Sequence, residues 1–202
     1  MTGTTLFNEQ RVASAMSYAE YWALIEKLTA EGKTTGDDHS PRMLEYTRLN
    51  MQRLKRGDAQ ATVSPPLAEA IRKIEKPQIW IVLTEWWCGD AAQNIALFPK
   101  MAALNPKITL KFMLRDQNPD IMDAFLTNGA RAIPKLIILD GQTYEVLAHW
   151  GPRPAPMQRL AQDYKAGKTT REEFQKALHL AYFKDQYRSL NEEMTEIFAK
   201  IA

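Results

Sequence analysis

The sequence predicts an α/β fold in which a central mixed sheet, with parallel and antiparallel strands, is flanked by helices. The apolar segment 78–84 is typical of a central strand that is buried on both faces. Strand patterns and helix patterns alternate along residues 64–167. The turn signal Asp140-Gly141 separates two of the later strands and predicts an antiparallel hairpin. These three observations place one sheet in the middle of the chain.

The remaining elements follow from local patterns of apolar, turn and helix-breaking residues. Further strands are expected at 108–114, 137–139 and 144–150, and helices at 40–56, 64–74, 91–103, 119–126 and 157–167. Residues 57–63 are expected to be a connector. Pro99 lies inside the 91–103 helix and predicts a kink about two turns after its start. We therefore expect residues 64–167 to form one domain.

Helical extensions are predicted on both sides of this domain, over residues 1–63 and 168–202. Capping-box patterns begin at Ser17 and Thr170. The apolar stripe of the C-terminal extension drifts around residues 185–189, so one long helix and two shorter helices both remain open. Such a stripe usually packs within its own chain, and the alternative is a face that binds a partner.

The composition limits the classes of function. A hydrophobic fraction of 45% and a charged fraction of 25% are ordinary for a soluble globular protein. The net charge is +2, and Lys and Arg are spread along the chain, so no nucleic-acid partner is predicted. No apolar run reaches the ~18 residues that a membrane span needs, so no membrane association is expected. The start of the chain lacks a basic, apolar leader, which predicts a cytoplasmic protein.

The chain has one cysteine, Cys88, and therefore no intramolecular disulfide. A lone cysteine is most simply a small buried apolar residue. Cys88, however, directly follows the apolar strand and directly precedes a helix, where free N–H groups and the helix dipole favour a thiolate. Gly89 allows a turn that exposes the sulfur, whereas the carboxylate of Asp90 disfavours a second negative charge. Whether the pKa of Cys88 falls depends on where the Asp90 side chain points.

Three ordered motifs are specific enough to suggest a family. They are Glu-Trp-Trp-Cys-Gly at 85–89, Arg-Ala-Ile-Pro-Lys-Leu at 131–136 and Trp-Gly-Pro-Arg-Pro at 150–154. The first two resemble the start of the active site and the cis-proline segment of the thioredoxin superfamily. The whole set is similar to a group of uncharacterised bacterial thioredoxin family proteins with a Trp-Cys-Gly-Asp motif. The resemblance covers about half of the chain and implies a thioredoxin fold with additional N- and C-terminal helices.

The same resemblance implies a site. Cys88 would be the catalytic nucleophile, beside a cis peptide bond between Ile133 and Pro134. The substrate-binding residues would be Trp87, Gly89, Asp90, Ile133 and Pro134. No metal or other cofactor is expected, because the three histidines lack the spacing of metal ligands.

The chain departs from the thioredoxin pattern at three positions, one of which is Asp90 in place of the proline between the two cysteines of the family. The second cysteine of the family is replaced by Ala91, and the buried acid that serves it is replaced by Val82. A cycle in which a second thiol releases the mixed disulfide is therefore excluded. One function left open is monothiol exchange at Cys88 with a protein or a low-molecular-weight thiol or disulfide. The other is a redox-inactive module that binds an extended peptide or a partner. The sequence does not indicate the oligomeric state.

Overall fold

The computed structural model describes residues 6–201, so residues 1–5 and 202 of the two extensions lie outside it. Within this range the helices are α1 Glu9–Ala13, α2 Tyr18–Ala30, α3 Pro41–Gln60, α4 Pro65–Arg72, α5 Gly89–Asn94, α6 Leu97–Ala102, α7 Pro119–Ala124, α8 Ala155–Lys165, α9 Arg171–Asp185 and α10 Arg188–Ile201. The strands are β1 Gln78–Thr84, β2 Ile108–Leu114, β3 Lys135–Asp140 and β4 Val146–Trp150. Both extensions are thus largely helical where they are described.

The four strands form one mixed sheet in the order β2-β1-β3-β4. β1 pairs with β2 in parallel and with β3 in an antiparallel manner, and β3 and β4 form the antiparallel hairpin. Every residue of β1 is buried, as the continuous apolar segment predicts for a central strand. The predicted α/β class, with a mixed sheet flanked by helices, is confirmed.

The helix expected over 91–103 is instead two helices, α5 and α6, separated at Ile95 and Ala96. The break lies one turn before Pro99, earlier than the kink that was expected. Pro99 has no N–H group to donate to the carbonyl of Ile95, four residues earlier. That carbonyl accepts a shorter-range bond from the N–H of Phe98 at 3.2 Å, which tightens the chain and ends α5.

Helix α3 is longer than expected, because it continues to Gln60 through what was predicted to be a connector. Gly57 permits this extension to pack closely against the break between α5 and α6. A Cβ at this position would lie 2.8 Å from the Cβ of Ala96 and closer still to the hydroxyl of Tyr187. A glycine that looks like a loop residue in the sequence is therefore a packing residue.

Two other boundaries are set by left-handed residues. β4 begins at Val146 instead of 144, because Tyr144 has a φ of 62° and leaves the extended conformation. The C-terminal extension is two helices, because Gln186 and Tyr187 have φ values of 48° and 66°. This break falls inside the 185–189 segment where the apolar stripe drifts.

The extensions are built into the core of the sheet. From α2, the ring of Tyr21 stacks on Phe112 of β2 at 5.2 Å between centroids. From α10, the ring of Phe198 stacks on Trp80 of β1 at 5.0 Å. Each of these four aromatic side chains is fully buried, so removal of either helix would expose the core.

Candidate functional site at Cys88

Cys88 lies at the junction of β1 and α5, where it is the N-cap residue of the helix. Its Sγ donates a hydrogen bond to the carbonyl oxygen of Ile133 at 3.3 Å. The peptide bond between Ile133 and Pro134 is cis, the conformation that the resemblance implies. The fold thus brings together Cys88 and the Ile133-Pro134 segment from 45 residues along the chain. Cys88 is only 9% exposed and Ile133 only 4% exposed, so this contact is buried.

Burial raises the pKa of the Cys88 thiol to about 12, and the negative charge of Asp90 adds to the shift. The backbone N–H groups of Ala91 and Asp90 at the helix start, and the guanidinium of Arg153, act in the opposite direction and are outweighed. The carboxylate of Asp90 is therefore close enough to counteract the effect of the helix N–H groups on the pKa of Cys88. Burial of the thiol is the largest contribution to the raised pKa. The thiol keeps its proton at neutral pH.

Asp90 itself is held by two other side chains. Its Oδ2 pairs with Nη2 of Arg153 at 2.5 Å, and its Oδ1 accepts a hydrogen bond from the hydroxyl of Tyr182 at 2.8 Å. Nδ2 of Asn94 donates to the backbone carbonyl of Asp90 at 2.8 Å and to the Tyr182 hydroxyl at 3.1 Å. Both carboxylate oxygens of this buried residue are thus occupied within the chain. We call these four residues the Asp90 cluster.

A second set of contacts covers the start of α5 from α3 and α9. Nδ2 of Asn50 donates to the carbonyl of Trp86 at 3.0 Å, and Nη1 of Arg53 donates to Oδ1 of Asn50 at 2.8 Å. Nη2 of Arg53 donates to Nε2 of His179 at 3.0 Å. Burial lowers the pKa of His179, which keeps the ring neutral and able to accept this bond. A Cβ at Gly89 would meet Nη1 of Arg53 at 3.5 Å.

Trp87 and Gly89 are the predicted site residues that keep partial exposure. The guanidinium of Arg115 stacks 4.6 Å from the centroid of the Trp87 ring and pairs with Asp116 at 2.7 Å. The neighbouring Trp86 is buried in the core. The two tryptophans before Cys88 therefore have different surroundings, one in the core and one at the surface.

Sequence reasoning missed the side chains that control the site. Arg153 is part of the Trp-Gly-Pro-Arg-Pro motif, which was a signal of family and not of a contact with Asp90. Tyr182 lies in an amphipathic helix, where its spacing indicates packing alone. Ala91 and Val82, at the positions of the missing cysteine and acid, are both buried.

The residues that the structure describes show no group of three or more His, Cys, Asp or Glu side chains arranged to hold a metal ion. None of the helices within residues 6–201 combines the length and the apolar character that crossing a membrane requires.

Comparison with known proteins agrees with the fold. Among solved structures, the chain is similar to PA1234, a protein of unknown function from Pseudomonas aeruginosa. The two share 20% identity over 93% of this chain and 99% of that chain, with a TM-score of 0.51. An HIV epitope scaffold shares 18% identity over 93% of this chain and 100% of that chain, with a TM-score of 0.52. At such identities the likeness shows the fold alone.

No curated protein matches the chain. A family model described as Thioredoxin matches residues 36–165, which begin before α3 and end with α8. The match includes the strand and helix around Cys88, the Ile133-Pro134 segment and the hairpin. Because the match covers more than half of the chain, the chain belongs to the thioredoxin-like family.

Proposed function

We propose that the chain is a redox-inactive thioredoxin-fold binding module in which Cys88 is a buried structural thiol. The observation that carries this proposal is the hydrogen bond from the Cys88 Sγ to the Ile133 carbonyl at 3.3 Å, inside a contact that solvent hardly reaches. A nucleophilic cysteine needs an accessible thiolate. Here the sulfur is covered, its proton is engaged, and the carbonyl beside the cis-proline is already bonded within the chain.

The size of the pKa shift supports the same proposal. A thiol with a pKa of about 12 has about three and a half orders of magnitude less thiolate at neutral pH than a free cysteine, whose pKa is about 8.5. A more basic thiolate is also a better nucleophile. This gain in reactivity offsets about half of the lost thiolate population on a logarithmic scale. We expect Cys88 to react about 10²-fold more slowly than an unfolded cysteine from this effect alone. Burial slows the reaction further.

We expect oxidised glutathione to modify Cys88 at least about 100-fold more slowly in the folded protein than in the same chain unfolded in urea. Mass spectrometry of quenched samples measures the mixed disulfide at each time. Cys88→Ser gives the background, because it removes the thiol and keeps a group that can donate to Ile133. A folded protein that reacts as fast as the unfolded chain, or faster, contradicts the proposal.

Monothiol exchange is the second candidate, and one observation favours it. The backbone N–H groups of Asp90 and Ala91 do act to lower the pKa of Cys88, so they would stabilise a thiolate once the site opened. Exchange would then require α9, whose Tyr182 is hydrogen-bonded to Asp90 at the start of α5, to move away from the site. Tyr182→Phe removes the hydroxyl that donates to Asp90 and should then raise the rate with oxidised glutathione about tenfold or more. The binding module predicts that the rate in this variant stays far below that of the unfolded chain.

A further inference from the structure

We propose that a cavity between α3, α5 and the break between α9 and α10 binds a small aromatic molecule that carries a carboxylate. The cavity has a volume of about 510 Å³, and its lining includes Asn94 and Tyr182 of the Asp90 cluster but not Cys88. Pockets for small molecules commonly have about 300 to 1,000 Å³. The proposal rests on the proposed binding role, because it names the ligand class of such a module.

Aromatic side chains form one part of the cavity wall. Tyr182, Phe183 and Tyr187 line the cavity together. The left-handed conformations of Gln186 and Tyr187 reverse the chain at the end of α9 and bring Tyr187 to the same side. Phe183 is 63% exposed, an unusual degree for a phenylalanine, and it gives the cavity an apolar edge facing solvent. A planar aromatic ring is the shape that such side chains cover best.

Two largely buried amide side chains of α5 form another part of the cavity wall. Gln93 is 9% exposed and Asn94 is 1% exposed, and both line the cavity. Within residues 6–201, neither Nε2 of Gln93 nor Oδ1 of Asn94 forms a hydrogen bond, and neither belongs to the fully buried atoms that lack a partner. Both atoms therefore keep contact with solvent, and they offer a donor and an acceptor to the polar edge of a ligand.

The charged side chains of the cavity favour an anionic ligand. Arg56 lines it and forms no ion pair with any residue that the structure describes. Its Nη2 donates a long hydrogen bond to Oε1 of Gln93 at 3.5 Å, which holds the guanidinium beside the amide. The one carboxylate among the lining residues, Asp185, accepts bonds from the N–H and the hydroxyl of Ser189. Arg56 is thus left to pair with an anionic group of the ligand.

Indole-3-carboxylate is a suitable probe, with indole-3-carboxamide as its uncharged counterpart, and isothermal titration calorimetry measures both affinities. We expect the carboxylate to bind the folded protein with a Kd below about 1 mM and the carboxamide to bind more weakly. Arg56→Gln should weaken the carboxylate about tenfold or more and leave the carboxamide unchanged. Phe183→Ala should weaken both probes.

Two variants serve as matched controls. Arg48→Gln removes another exposed guanidinium from α3, and Leu180→Ala removes another exposed apolar side chain from α9. Neither residue lines the cavity, so both variants should bind the carboxylate as the unaltered chain does. Absence of binding at about 1 mM, or equal affinity for the carboxylate in Arg56→Gln and Arg48→Gln, overturns the proposal.

The outcome separates this inference from the proposed function. If neither probe binds while Cys88 is inert to oxidised glutathione, the ligand class is wrong and the redox-inactive module stands. If Cys88 reacts as fast as in the unfolded chain, the redox-inactive module fails, and the cavity is still judged by the two indole probes. Cys88→Ser should bind the carboxylate as well as the unaltered chain, because the cavity does not include Cys88.

Discussion

Replacing Arg153 with Met is expected to lower the free energy of unfolding by about 3 to 5 kcal/mol, because it leaves a buried carboxylate without its counter-ion. The side chain of Asp90 is 9% exposed and that of Arg153 is 20% exposed, with 2.5 Å between them. Within residues 6–201, the hydroxyl of Tyr182 would remain the one side-chain donor to the carboxylate of Asp90. Equilibrium unfolding in urea, followed by tryptophan fluorescence, measures the change.

The control for this experiment is a surface ion pair of similar geometry. Arg131 and Asp123 lie 2.6 Å apart but are 54% and 51% exposed, so Arg131→Met should leave the unfolding midpoint almost unchanged. Adding Asp90→Asn to Arg153→Met should recover part of the lost stability, because it removes the unpaired charge. If Arg153→Met unfolds at the same urea concentration as the unaltered chain, the ion pair between Asp90 and Arg153 does not stabilise the fold as we propose.

Gly151→Ala should destabilise the fold by more than about 3 kcal/mol, because the new Cβ would collide with the carbonyl oxygen of Pro134. The other nearest atoms, the carbonyl carbon of Pro134 at 3.2 Å and the Cα of Lys135 at 3.4 Å, are also backbone and cannot rotate away. Gly151 has a φ of 117°, which an alanine rarely adopts. Thermal or urea unfolding measures the effect.

Gly129→Ala is the matched control for this change. Gly129 also has a positive φ, of 73°, but a Cβ there would have no atom within 4 Å. This variant reports the cost of the left-handed backbone alone, about 1 kcal/mol. Equal losses of stability in the two variants would mean that the contact between Gly151 and Pro134 carries no special weight. A much larger loss at Gly151 supports the close packing of Gly151 against the backbone of Pro134.

The sheet and several helix starts could be predicted because their signals are local. The apolar run of β1, the hairpin turn at Asp140-Gly141 and the capping boxes at Ser17 and Thr170 each act over a few residues. The boundaries that were missed depend on long-range packing. Gly57 continues α3 because Ala96 and Tyr187 approach it, and neither contact leaves a local pattern.

The candidate site, too, has features that local motifs predict and features that depend on long-range contacts. Its location at Cys88 and its neighbour Ile133 follow from motifs, and the structure places the two side by side. The state of the thiol was left open at Asp90, because it depends on where that side chain points. That side chain is positioned by Tyr182, 92 residues further along, and by Arg153, while burial of the sulfur is the largest cause of the raised pKa. Contacts over such distances have no signature in a single sequence, so the direction of the pKa shift required the structure.

The most direct test of the account is the rate at which iodoacetamide alkylates Cys88 as a function of pH, with Cys88→Ser as background. The thiolate is the reacting form, so the rate follows its population. Because the pKa is raised to about 12, we expect the rate to keep rising with each step in pH through 10, without a plateau. A plateau with a midpoint at or below about 8.5, the value of a free cysteine, would contradict a buried, protonated thiol.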